Sequence, residues 1–71
     1  MQYMVVVERG TKSFGASVPD LPGCIAVAET EDEVLLLIKE AIEMHLEDLR
    51  SRGAAVPPPA SRGAFVDVAS T

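Results

Sequence analysis

The spacing of apolar positions changes once along this chain, near residue 30. Before that point it has a period of two. Tyr3, Val5 and Val7 alternate with Met4, Val6 and Glu8, and this β-branched run predicts a central strand over about 2–8, covered on both faces. Arg9-Gly10-Thr11-Lys12 is a turn signal. Phe14, Ala16 and Val18 then alternate with Ser13, Gly15 and Ser17, giving a second strand over about 13–18 and hence an antiparallel hairpin. Ile25-Ala26-Val27-Ala28 predicts a third strand over about 24–29. After residue 30 the period becomes helical. Val34, Ile38, Ala41, Ile42, His45 and Leu49 fall on one face, flanked by Leu35, Leu37 and Leu46. Thr30 followed by Glu33 is a capping box, and Glu31 and Asp32 place negative charge in the first turn. Gly53 is a stop signal, so the helix is expected over about 31–51. Pro57, Pro58 and Pro59 stiffen a connector over about 54–62, and Ala64-Phe65-Val66-Asp67-Val68 reads as a fourth strand over about 64–69.

The resulting order is β-β-β-α-β, an α+β fold in a single domain covering residues 1–71. A right-handed crossover would return the last strand parallel to the first, so one helix packs on a four-stranded mixed sheet. The helix covers one face only. Met4, Val6, Ile25 and Val27 are left on the other, where a second subunit is expected to cover them, and the last strand is a further edge open to pairing. A homodimer or homotetramer follows. Size argues the same way, because a chain of 71 residues buries only roughly 60 % of its unfolded surface. The single cysteine permits no internal disulfide, and Cys24 and His45 have no zinc-type spacing.

Charge narrows the partners. The formal net charge is −5, and the imbalance is local: between Glu29 and Asp48 lie eight acids and one base, Lys39. Such a field repels phosphate and attracts basic surfaces. Direct nucleic-acid binding is not expected; binding to a protein that contacts nucleic acid is. The opening apolar run is too short for a membrane span and has no export-signal flanks, so the expected location is the cytoplasm.

The chemistry-bearing residues form no catalytic set. Cys24, His45 and Asp20 are the sole candidates for a nucleophile, base and orienting carboxylate, and Cys24 and His45 read as packing residues. Glu8, Glu29 and Asp67 lie near strand ends, not in the convergent cluster that a two-metal nuclease requires. The five glycines are dispersed, so no phosphate loop is present. No enzyme activity, cofactor or metal is expected. Leu36 breaks the helical pattern by falling on the acidic side. Together with Glu40, Glu43 and Glu47 it forms the expected partner-binding stripe.

The loop Pro19-Asp20-Leu21-Pro22-Gly23-Cys24 joins the second and third strands. Two prolines and a glycine make it a stiff, shaped connection. The strand pair ending in this loop, Glu29-Thr30 leading into the helix, Ala41–Glu47, the prolines at 57–59 and the closing valine-rich segment together resemble the N-terminal domain of HicB-type antitoxins, in the form of a small stand-alone relative. The resemblance implies a degenerate ribonuclease H-like fold. It also implies a non-enzymatic antitoxin that covers the active site of a small, basic, HicA-type messenger-RNA-cleaving toxin. Full-length members usually carry a C-terminal DNA-binding module, which is not expected here. An orphan oligomeric scaffold or regulatory domain without a toxin is the alternative function; residual nuclease activity through Glu8 or Asp67 is a third.

Overall fold

The computed structural model describes residues 1–70. Three strands and one helix follow in the order β1 (Val6–Arg9), β2 (Phe14–Ser17), β3 (Ile25–Ala28) and α1 (Glu31–Ser51). The sheet is antiparallel throughout, with β2 in the centre. Val7 lies opposite Ala16, and Ala16 opposite Ala26, which fixes the face toward the helix. Helix α1 lies over β2 and β3. Between the layers sits a small core of Ala16, Val18, Leu21, Cys24, Val34, Ile38 and Leu46.

Both ends of α1 are closed by local chemistry. The Thr30 hydroxyl accepts the Glu33 amide at 3.1 Å and lies 3.1 Å from the Glu33 carboxylate, to which it donates. At the other end Gly53 takes a φ of 67°. Its amide donates to the Arg50 carbonyl at 3.1 Å, and the Ala54 amide donates to Leu49 at 2.9 Å. That pair of reversed bonds is a Schellman termination, which requires the left-handed conformation that glycine adopts without strain.

Two expectations are corrected. The sheet has three strands, and the order is β-β-β-α; the four-stranded mixed sheet with a parallel fourth strand over 64–69 is absent from the described residues. The connector is fastened up to residue 63, but among the described residues no backbone hydrogen bond ties the segment after it to the sheet. The Tyr3 hydroxyl donates to the Pro57 carbonyl, Asp20 binds residues 60 and 61, and Gly63 lies beside Met4. The following segment makes no ladder with β1. Phe65 in it is fully exposed, and the longest dimension of the chain reaches 51 Å. The second correction follows from the first. With no neighbour on its outer side, β1 is an edge strand and is exposed along its whole length, not the doubly covered centre that Val5-Val6-Val7 suggested.

Candidate protein-interaction face

Helix α1 buries Val34, Ile38 and Leu46 and turns its opposite side to solvent. Leu36, Glu40, Glu43 and Glu47 are all exposed there, Leu36 at 59 %. Their spacing of four, three and four residues keeps them in one row along the helix, roughly 16 Å long at the α-helical rise. Among the described residues the one ion pair is Asp48 with Arg52 at 2.9 Å, so none of the three glutamates of the row is engaged in an ion pair. Leu35 and Leu37 are also exposed, at 42 % each. The N-terminal part of the helix thus presents a leucine-rich surface that continues into an acidic one. This arrangement can attract and hold a basic protein that carries an apolar patch.

The loop between β2 and β3 serves the fold in two ways that residue types alone did not reveal. Leu21 is wholly buried, held by a ring of backbone bonds: Leu21 N–H to the Val18 carbonyl at 3.0 Å, Cys24 N–H to Leu21 at 3.1 Å and Val18 N–H to Cys24 at 3.2 Å. Gly23, at φ 85°, lets the chain close that ring. Asp20 points the other way. Its carboxylate accepts from the Ala60 amide at 2.9 Å, the Ser61 amide at 2.8 Å and the Ser61 hydroxyl at 2.7 Å. These bonds, those from Ser61 foremost, hold the carboxyl below its ordinary pKa. The bonds span forty residues of sequence, so no local pattern announces them.

The sequence candidates for chemistry are placed as follows. Asp20 is engaged with residues 60 and 61. Cys24 and His45 line one shallow cleft together with Gly23, Ile25, Ala41, Met44 and Asp48. Cys24 is buried, and desolvation pushes its thiol pKa up, opposite to the direction a nucleophilic thiolate needs. Glu8, Glu29 and Asp67 are exposed, and among the described residues no three His, Cys, Asp or Glu side chains are grouped so as to hold a metal. No helix among them is long and apolar enough to cross a membrane.

Together these features define a small α+β domain with a buried core and an acidic helix face. The model of the HicB-like antitoxins of bacterial toxin–antitoxin systems matches residues 3–68, and the chain belongs to that family. Among curated relatives, a UPF0150 protein of Thermoplasma acidophilum is 34 % identical over 58 residues, covering 80 % of this chain and 84 % of its own. An uncharacterized 14.9 kDa protein from the rep–hol intergenic region of Haemophilus phage HP1 is 35 % identical over 57 residues; the match takes in 80 % of this chain and 43 % of the phage protein. A UPF0150 protein of Archaeoglobus fulgidus is 40 % identical over 48 residues, covering 66 % of this chain and 70 % of its own. The chain thus spans less than half the length of the phage relative. No solved structure matches it.

Proposed function

We propose that this chain is a cytoplasmic antitoxin that binds a small, basic, HicA-type messenger-RNA-cleaving toxin through the outer row of α1 and blocks access of RNA to it. The observation that carries the reading is the unpaired acidic row of Glu40, Glu43 and Glu47 with Leu36 at its end, on a chain of the antitoxin family. The antitoxin performs no chemistry; it occupies the toxin's basic surface in place of the RNA backbone. The same chain associates with itself, using apolar surface on the side of the sheet away from the helix.

The test begins with capture of partners from the source-cell lysate at low salt, followed by a messenger-RNA cleavage assay on any basic protein retained. Wild-type chain is expected to suppress cleavage, and to release the partner as salt rises. Changing Glu40, Glu43 and Glu47 together to Lys should weaken the complex at least about threefold from the lost attraction, since exposed pairs contribute roughly 0.2–1 kcal/mol each, and further from the new like-charge repulsion. Unchanged suppression by the triple variant refutes the assignment of the row. Absence of any RNA-cleaving partner refutes the toxin and leaves an orphan oligomer.

A further inference from the structure

The face of the sheet opposite α1 has no cover. The register puts Val6, Ser17 and Ile25 in one row across it and Glu8, Gly15 and Val27 in the next. Met4 continues the β1 alternation two residues before Val6. Ile25 is 68 % and Val27 64 % exposed. At the centre sits Gly15, where no atom lies within 4 Å of the position that a Cβ would take. The result is a shallow apolar seat floored by backbone.

The same chain carries an apolar segment with nowhere to lie. From Ala64 to Ala69 the residues are small or apolar except Asp67, and Phe65, Val66 and Val68 are 106 %, 80 % and 82 % exposed. The root of this arm is held. The Asp20 clamp fixes Ala60 and Ser61, and a Cβ on Gly63 would lie 3.3 Å from the Met4 sulfur, so the arm leaves from the margin of the uncovered face.

We propose that the arm Ala64–Ala69 of one copy docks on the uncovered sheet face of a second copy, with Phe65 seated at Gly15 among Val6, Ile25 and Val27, and that the exchange is reciprocal. This deepens the self-association part of the function proposed above and is independent of the toxin. The occupant is a second copy because arm and seat are complementary and both belong to this chain, which is the condition for a closed two-fold contact. Reach is adequate: six extended residues span roughly 20 Å, against a sheet about 10 Å across between its outer strands. Charge favours an apolar contact of this kind. Two chains of formal charge −5 repel, so the dimer is held by apolar contact and tightens as salt rises, whereas an acidic row holding a basic toxin loosens.

Three versions of the full chain test the proposal by sedimentation equilibrium and native mass spectrometry: wild type, Phe65→Ser in the arm and Gly15→Lys in the seat. Phe65 is exposed, and a Cβ at Gly15 meets nothing within 4 Å and needs no positive φ, so both variants are expected to fold, with helical circular dichroism as the check. Wild type should be a dimer, and each variant should dissociate at least tenfold more readily. Mixing the two variants should restore a heterodimer, because the intact arm of the Gly15→Lys chain meets the intact seat of the Phe65→Ser chain. A monomeric wild type overturns the proposal and leaves the toxin reading standing. So does a dimer indifferent to both variants. Toxin binding lost in Phe65→Ser with its mass unchanged also overturns it, by assigning the arm to the toxin.

Discussion

Leu21 is the position at which the link from loop to stability is most exposed to test. It comes from a loop, yet it is wholly buried among Ala16, Val18, Cys24, Val34 and Ile38, and its own amide and carbonyl hold the ring that shapes the loop. Truncation to Ala removes three carbon atoms from the centre of a seven-residue core. Buried Leu→Ala changes cost about 2–5 kcal/mol. The lower half of that range applies if the loop can settle inward, but Pro19 and Pro22 resist that movement. The core of a chain this small contributes only about 3–5 kcal/mol of net stability. Leu21→Ala is therefore expected to take most of the margin and to lower the melting temperature by at least about 10 °C, at 4–8 °C per kcal/mol for a domain of this size. Urea unfolding followed at the helical circular-dichroism band measures the free-energy loss, and thermal unfolding at the same band the fall in melting temperature. Leu36→Ala is the control, since the same truncation at a 59 % exposed site should cost less than about 0.5 kcal/mol. A Leu21→Ala loss no larger than the Leu36→Ala loss would refute the view that the loop leucine anchors the core.

The Asp20 clamp makes a pH prediction. Its carboxyl pKa is depressed in the folded state by the bonds from Ser61 and Ala60, so the clamp's contribution is fully present above the unfolded value of about 3.9. It is lost as pH falls through the lower folded value. Hydrogen exchange at the Ala60 and Ser61 amides should accelerate across that acid window while helix amides remain protected, and Asp20→Asn should show weaker protection of the same two amides at neutral pH; protection unchanged in the variant would rule the clamp out. Gly53→Ala should cost about 1–2 kcal/mol, the strain of a left-handed L-residue, because open space surrounds the site and no clash adds to it. A loss below 0.3 kcal/mol in thermal unfolding would show that the Schellman turn is not required. Cys24, buried with its pKa raised, should react with iodoacetamide far more slowly than a free thiol at pH 8, and at a rate that denaturant restores; prompt reaction in the native protein would contradict its burial.

What the sequence revealed and what it hid divide by the range of the interaction. The helix ends were legible because Thr30 and Glu33, or Leu49 and Gly53, settle them within four or five residues. The buried side of α1 was legible because period 3.6 brings Val34 and Ile38 together whatever lies opposite. Leu46, assigned to the flank, is buried while Leu37 on the other flank is exposed; that asymmetry depends on where the sheet sits. Val5-Val6-Val7 could not distinguish a central strand from an edge, since β-branched residues favour any pleated surface and pairing is decided by distant segments. The closing Phe65-Val66-Asp67-Val68 has strand composition, but composition does not supply a partner strand, and the connector before it is tied at residues 60 and 61 to Asp20, about forty residues earlier. The acidic row was legible as periodicity and charge, and the structure places all four of its residues in solvent. Its partner is a matter for binding experiments.

The two association surfaces proposed above lie on opposite sides of a two-layer fold. Leu36, Glu40 and Glu47 face away from the sheet and Glu43 stands at the flank of the row, beside the cavity lined by Tyr3 and Val5, while Val6, Ile25 and Val27 face away from the helix. On that proposal a toxin on the helix row and a second copy on the sheet would not compete for area. Their physical bases also oppose each other, one being screened by salt and the other relieved of like-charge repulsion by it. A bound basic partner lowers the net negative charge of each chain, so it should strengthen the contact between chains. The expected assembly is two antitoxins with two toxins, tighter at the antitoxin–antitoxin contact than the antitoxin alone. Native mass spectrometry of the complex at two salt concentrations reads both: raised salt should shed toxins first and leave an antitoxin pair. A one-to-one complex that forms by splitting the pair would show that the toxin and the second copy share a surface, which the opposed faces of this fold do not allow.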